Sequence, residues 1–283
     1  MIIEIQNFIA YIHNDKKAPI NTEVSYQRDL YQMAEYLKAN GITEVTDVTG
    51  DWIKRYVEAL KEEGKAASTI SRSLASMKAF YTYMLSQGKI SLNPTFGVHS
   101  PKVERKVPEI LTAEEIELLL NQPSEFTEKG IRDRAMLHLL YSTGIRVSEL
   151  IGLTMDQVEL SKSCICCEMN GRKRKIPFDK TTKAVLKNYL EHVRPHFIAD
   201  EKDTHVFANC SGQSMSRQGF WKVIKQYAAS AGIEKDITPH TFRHSFAANM
   251  LAQGAKVSDV QEMLGHSDIS TTLVYANMNA KET

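Results

Sequence analysis

The chain lacks most of the features that would mark it as a membrane protein, a secreted disulfide scaffold or a fixed-metal domain. None of its 283 residues fall in an apolar run of about 18, so a membrane-spanning helix is not expected. The first residues, MIIEIQNFIAYIHNDKK, carry an acid early and lysines late. They have neither the basic start nor the small-residue cleavage site of a signal peptide, and a cytoplasmic location is expected. There are 4 cysteines, Cys164, Cys166, Cys167 and Cys210, and none form a CxxC pair. Reduced thiols in or beside a core are expected, not a metal cage. An excess of one charge is also missing: 35 basic residues face 34 acidic ones. Residues 1–107 hold 14 basic and 12 acidic residues, so neither half is strongly basic. A nucleic-acid surface would have to come from local clustering rather than total charge. No P-loop and no acidic metal cluster is present, so neither a cofactor nor a metal is expected.

What remains is the ordinary mix of a folded protein, 42% hydrophobic and 24% charged, long enough for two modest domains. Residues 1–92 read as all-helical. Ile2, Ile5, Phe8, Ile9 and Ile12 follow helical spacing, as do Tyr26, Leu30, Met33, Ala34 and Leu37 before Gly41. Trp52, Ile53, Tyr56, Val57 and Leu60 end at Gly64, and Leu74, Met77, Phe80, Tyr81 and Met84 end at Gly88. Four amphipathic helices with glycine stops predict a small bundle. Residues 93–108 hold three prolines and no periodicity, and read as a linker.

Residues 109–283 read as mixed. Thr112 with Glu115 predicts a capped helix to Leu120, and residues 131–141 a helix broken by Gly144. Segments 163–169 and 174–178 read as strands around Asn170-Gly171. Helices are predicted over 181–193, 216–231, from Thr238-Pro239 to Gly254, over 258–265 and from near Ser270. The fold class expected is mostly α with a small β-sheet.

Three segments carry polar chemistry. In Pro239-His-Thr-Phe-Arg-His244, His240 and Arg243 share one helix face at a helix start, where the dipole favours an anion. Leu264-Gly-His266 is followed by Ser-Asp-Ile-Ser-Thr-Thr-Leu-Val-Tyr275, which predicts His266 and Tyr275 at neighbouring helix ends. In Ser142-Thr-Gly-Ile-Arg-Val-Ser-Glu-Leu150, Arg146 sits in a first turn after a glycine break, with Glu149 three residues on. Each motif alone has a bland alternative: a capped helix, a packing tyrosine, a surface ion pair.

Taken together, TGIRVSEL, HTFRH and LGHSDISTTLVY resemble the tyrosine recombinases, most of all bacterial Xer-type recombinases and phage or transposon integrases. The resemblance spans nearly the whole chain. It implies a helical, SAM-like core-DNA-binding domain at 1–92, a linker at 93–108 and a catalytic domain at 109–283. It implies that Arg146 and Arg243 clamp the scissile phosphate, that His240 and His266 complete the pocket, and that Tyr275 is the nucleophile. Arginine suits this task, being planar, permanently charged and bidentate. It further implies double-stranded DNA with specific sites as partner and a tetramer on DNA, homomeric or with a related recombinase. The task would be chromosome-dimer resolution or integration and excision of a mobile element.

Two departures from the family pattern stand out. The lysine that the family carries between the two strands falls here on Met169 or Asn170, and neither can donate a proton. Lys173 is the best substitute for the general acid and Arg172 the next. The missing lysine keeps a catalytically impaired DNA-binding module in view, beside a type IB topoisomerase-like enzyme. Only eight residues follow Tyr275, which implies a stunted terminal helix. For DNA grip outside the pocket, Lys65, Ser68, Thr69, Arg72 and Lys78 cluster around one helix. Lys102 and Arg105 lie in the linker, and Arg172 and Arg217 lie in the second domain.

Overall fold

The computed structural model describes residues 1–102, 109–169, 172–198, 200 and 202–265. The chain divides into two compact units, Met1–Lys106 and Val107–Thr283. Among the described residues, no helix is long and apolar enough to cross a membrane.

The first unit is four helices: α1 (Ile2–Asn14), α2 (Ile20–Ala39), α3 (Gly50–Glu62) and α4 (Ala67–Ser86). Their spaced apolar residues meet in one core. Ile5, Phe8 and Ile12 of α1 pack with Leu30, Met33 and Leu37 of α2, Tyr56 and Leu60 of α3, and Leu74, Met77 and Phe80 of α4. Phe8 meets Phe80 edge-on at 5.7 Å, the arrangement the ring quadrupoles favour. Gly41, Gly64 and Gly88 each lie at positive φ after a helix, as their reading as stops requires. The helix α2 starts at Ile20, ahead of the Tyr26 from which its apolar spacing can be read.

The second unit holds α5 (Ala113–Leu120), α6 (Glu128–Thr143), α7 (Val147–Ile151), β1 (Val158–Glu159), β2 (Cys164–Met169) and β3 (Arg172–Pro177). It continues with α8 (Lys180–His192), α9 (Arg194–Phe197), α10 (Arg217–Ser230), α11 (Pro239–Ala252) and α12 (Val257–Leu264). The sheet is antiparallel in the order β1-β2-β3. The two-residue β1 and the four-residue α9 are too short to leave a periodic signal, and both are additions to the sequence reading. The predicted turn at Asn170-Gly171 and the helix near Ser270 lie outside the described residues. The capping box at Thr112 forms as expected: Thr112 Oγ1 accepts from the Glu115 amide at 3.2 Å, and the Thr112 amide donates to Glu115 Oε2 at 2.8 Å.

The helix α6 runs through the middle of this unit, with Ala135, Met136, Leu139 and Leu140 in the core. It also buries an ion pair that spacing did not announce. Arg132 Nη2 lies 2.7 Å from Asp133 Oδ1, and both side chains are inaccessible to solvent. Arg132 Nη1 donates to the Ala208 carbonyl at 3.1 Å, and the Tyr227 hydroxyl of α10 donates to Asp133 Oδ2 at 3.1 Å. The pair therefore ties α6 to the 208 loop and to α10.

Candidate active site

The C-terminal end of α12 is the centre of the site. A helix leaves its last carbonyls without intrahelical partners and carries partial negative charge there. Here three successive carbonyls each take a different arginine. Arg174 Nε donates to the Met263 carbonyl at 3.0 Å. Arg243 Nη2 donates to the Leu264 carbonyl. Arg146 Nη2 donates to the Gly265 carbonyl at 3.4 Å. Three cations that would repel one another are thus gathered by a helix end.

Local backbone places each of them. Gly144 ends α6 at φ +60°, and its carbonyl accepts from Arg243 Nη1 at 2.8 Å. A Cβ on Gly144 would meet Phe246 Cδ1 at 2.4 Å, so the break needs glycine for space as well as for φ. Arg146 follows as the N-cap of α7, with extended backbone. Its amide donates to Glu149 Oε2 at 2.8 Å. Glu149 Oε1 also holds Arg174 Nη2 at 2.8 Å and lies 3.8 Å from Arg146 Nη1. One carboxylate therefore steadies two of the arginines. It leaves the cluster with a positive excess, which suits a phosphodiester.

Thr238 starts α11: its amide donates to Thr241 Oγ1 at 3.0 Å, and its own Oγ1 accepts from the Thr241 amide at 3.3 Å. This puts His240 in the first turn, reaching the surface but with its ring partly withdrawn from water, and Arg243 one turn deeper and 5% exposed. Burial, then Arg243, Arg217 and Arg146 in that order, hold the His240 pKa below the ordinary imidazole value. A neutral ring that can accept a proton follows. His244 stacks on it with ring centroids 6.2 Å apart, and burial first, then His240 and Arg243, push its pKa down to about 4.

Arg146, His240 and Arg243 are thus brought together, and Arg217, expected only as a DNA contact, stands close enough to act on His240. Arg174, Glu149 and His244 belong to the same cluster and were not picked out as site residues. A signal for Arg174 existed: on β3 it alternates in phase with the buried Ile176, so a charged residue faces inward. Lys173 is out of phase with both. It is exposed, pairs across the strands with Glu168, and shares its face with Lys175, which is bound to Glu159 at 2.9 Å. His266, Tyr275 and Arg105 lie outside the described residues, as does the side chain of Arg172.

In the first unit Ser68 and Lys78 are exposed on α4, Thr69 is half-buried, and Lys65 just ahead of α4 pairs with Glu63 at 3.4 Å. Arg72 is held by Asp29. Lys102 is exposed.

Comparison with known proteins decides what this site belongs to. Residues 109–282 match the model of the phage integrase family, and residues 5–88 match its N-terminal SAM-like domain. The chain belongs to the phage integrase family. It is 40% identical over 276 residues to the tyrosine recombinase XerD of Halalkalibacterium halodurans, covering 97% of this chain and 92% of that one. It is 37% identical to the tyrosine recombinase XerC of Roseiflexus castenholzii, covering 98% and 89%. In fold it resembles the XerH site-specific recombinase bound to a palindromic difH substrate, with TM-score 0.78, 18% identity, and 94% and 79% coverage. The integrase of transposon Tn1549 in complex with a circular-intermediate DNA gives TM-score 0.78, 20% identity, and 96% and 94% coverage. The mostly helical fold with a small sheet is that of these enzymes. The chain is a tyrosine-type site-specific DNA recombinase. The alternatives of a binding module or a topoisomerase are not favoured.

Proposed function

We propose that this recombinase cuts and rejoins DNA through a 3′-phosphotyrosyl link on Tyr275, with Arg146 and Arg243 on the scissile phosphate and His240 and His266 completing the pocket. The observation that carries the assignment is the gathering of Arg146, Arg243 and Arg174 on the last carbonyls of α12. His266 is the next residue in the sequence after Gly265, and Tyr275 follows nine residues later.

The chemistry follows from the residue types. The Tyr275 oxygen forms a bond to phosphorus while the bond from phosphorus to the 5′ oxygen breaks. A phenol has a pKa of about 10, so roughly 0.1% is ionised near pH 7, and a neutral histidine must take its proton as attack occurs. Charge that builds on the non-bridging oxygens meets guanidinium groups already in place, each worth roughly 10²- to 10³-fold in rate. The phosphotyrosyl bond keeps the energy of the phosphodiester, so a second 5′ hydroxyl reverses the step without ATP. The leaving 5′ oxygen needs a proton, and Lys173 is assigned as its donor. Lys173 lies on the opposite face of β3 from Arg174, so this role requires its side chain to reach the phosphate from that face once DNA is bound. Lys173→Ala should slow cleavage of ordinary DNA but not of a substrate with a 5′-thiol leaving group, which needs no acid. Equal cleavage of ordinary DNA by the variant would remove the assignment.

DNA grip is assigned to Lys65, Ser68, Thr69, Arg72 and Lys78 around α4, to Lys102 and Arg105 in the linker, and to Arg172 and Arg217 in the second unit. The unit boundaries proposed are 1–92, 93–108 and 109–283. The working assembly is a tetramer on paired DNA sites in the cytoplasm. Its task is chromosome-dimer resolution or the integration and excision of a mobile element. Covalent trapping tests the core of this reading. Protein mixed with fragmented host DNA and denatured in SDS should yield an adduct that Tyr275→Phe abolishes. A single near-palindromic chromosomal site in the trapped DNA would support dimer resolution, whereas the ends of a mobile element would mean an integrase.

A further inference from the structure

We propose that Asp29, a buried carboxylate on α2, is a positioning residue that aims Arg72 of α4 so that the outer edge of its guanidinium grips a pair of acceptor atoms on duplex DNA. This rests on the DNA-binding reading above and deepens it. The Asp29 side chain is 3% exposed, in a unit far in sequence from the catalytic motifs. It makes a side-on bidentate pair: Arg72 Nε donates to Asp29 Oδ2 at 2.9 Å and Arg72 Nη2 to Oδ1 at 2.8 Å. The other cation near it is Arg28, with Nε at 4.0 Å and a side chain mostly in solvent.

Guanidinium has five N–H donors in a rigid plane. The pair with Asp29 uses one on Nε and one on Nη2. Three donors remain, two on Nη1 and one on Nη2, and one from each nitrogen forms the neighbouring, end-on edge of the same plane. That edge can still make a two-pronged contact, and the Arg72 side chain is 37% exposed. Its surroundings suit DNA. The twenty residues of α4 include Arg72 and Lys78 but no Asp or Glu. The exposed positions around Arg72 are small or basic: Ser68, Ala75, Lys78 and Thr82. Small side chains let a nucleic acid approach the helix closely, and α4 itself carries no acid to repel it. A free arginine would sample many rotamers. One clamped by a buried carboxylate presents its fork in a single plane, which is what bidentate recognition needs. The acceptor pair is either O6 and N7 of a guanine or two oxygens of a phosphate.

The pair also has a purely structural reading, and an apolar replacement separates the two. Buried ion pairs can often be exchanged for packed apolar residues without loss of stability. The experiment selects binding duplexes from a random-sequence library with the full chain, then measures affinity for the selected duplex. The proteins are wild type, Arg72→Lys, Asp29→Asn and the double variant Asp29→Leu with Arg72→Met, each checked by thermal melting. We expect the double variant to melt like wild type but to lose about tenfold in affinity for the selected duplex, the scale of one bidentate contact. Asp29→Asn should lose a similar factor although Arg72 is still present. Replacing guanines by 7-deazaguanine removes the wild-type advantage if the contact is to a base, and methylphosphonate links remove it if the contact is to a phosphate. A double variant that melts like wild type and binds the selected duplex as tightly would overturn the proposal, as would indifference to both DNA modifications. If wild type enriches no duplex at all, the DNA-binding reading itself fails and this inference falls with it.

Discussion

At the scale of single residues, Arg146 is the arginine whose chemistry is easiest to isolate, because its side chain is about one-third exposed and not part of the core. Lysine keeps the charge there but loses the planar fork. Arg146→Lys should lower strand cleavage by roughly 10²- to 10³-fold, measured as phosphotyrosyl adduct formed per minute, with the melting temperature unchanged. An unchanged rate would mean that this guanidinium does not meet the phosphate. His240 has a pKa depressed by burial and by Arg243, Arg217 and Arg146. A depressed histidine pKa means the neutral ring is present at pH 7 and is lost as pH falls through the lowered value. Cleavage should therefore stay level from pH 8 to about 6.5, the ordinary imidazole value, and fall only below it. His240→Gln should flatten the acid limb. The stability sign for His244 runs the same way. Its folded pKa is about 4, below the unfolded value, so the unfolded chain binds more protons between these two limits. Acidification through that window should lower the urea midpoint, and His244→Phe should reduce the slope.

At the scale of elements, the break between α6 and α7 carries the largest packing demand in the site. Gly144 has φ +60°, and an added Cβ would lie 2.4 Å from Phe246 Cδ1 and 2.9 Å from Leu264 Cδ2. Left-handed backbone costs a non-glycine residue about 1 kcal/mol, and overpacking a filled site costs about 1–3 kcal/mol more. Gly144→Ala should therefore destabilise the second unit by about 2–4 kcal/mol in denaturant titration. It should also displace Arg243, whose Nη1 rests on the Gly144 carbonyl. A loss under 0.5 kcal/mol, within surface-mutation scatter, would show that Phe246 and Leu264 yield easily. The element α12 matters for a different reason. It contributes no reacting side chain among its described residues, yet its last carbonyls hold three arginines.

At the scale of the whole molecule, the described residues of the first unit form a core built from α1–α4, and those of the second a core around α6 with a smaller cluster between α11 and α12. Each core closes on residues of its own unit. Fragments 1–102 and 109–283 expressed apart should each show helical circular dichroism and a cooperative melt. A non-cooperative melt from either would mean that its core needs the other unit. DNA affinity of the intact chain should fall steeply with salt, because phosphate contacts release counterions. Much of this organisation was legible in the chain itself. Apolar residues three and four apart placed the four helices of the first unit, and glycines after them marked their ends. Helical spacing likewise put His240 and Arg243 on one face, while Gly144 and Thr238 marked the breaks that carry Arg146 and His240. Such signals are local: they depend on φ, on capping hydroxyls and on which face of a helix is apolar. The i,i+3 pairing of Glu149 with Arg146 was legible, but its hold on Arg174 was not, nor was the phase that turns Lys173 away from Arg174's face. The same holds for the pairing of Asp29 with Arg72 across forty-three residues. These depend on which surfaces meet when helices and strands pack. A charge exposed in one arrangement is buried and in need of a partner in another, so only the tertiary structure could decide them.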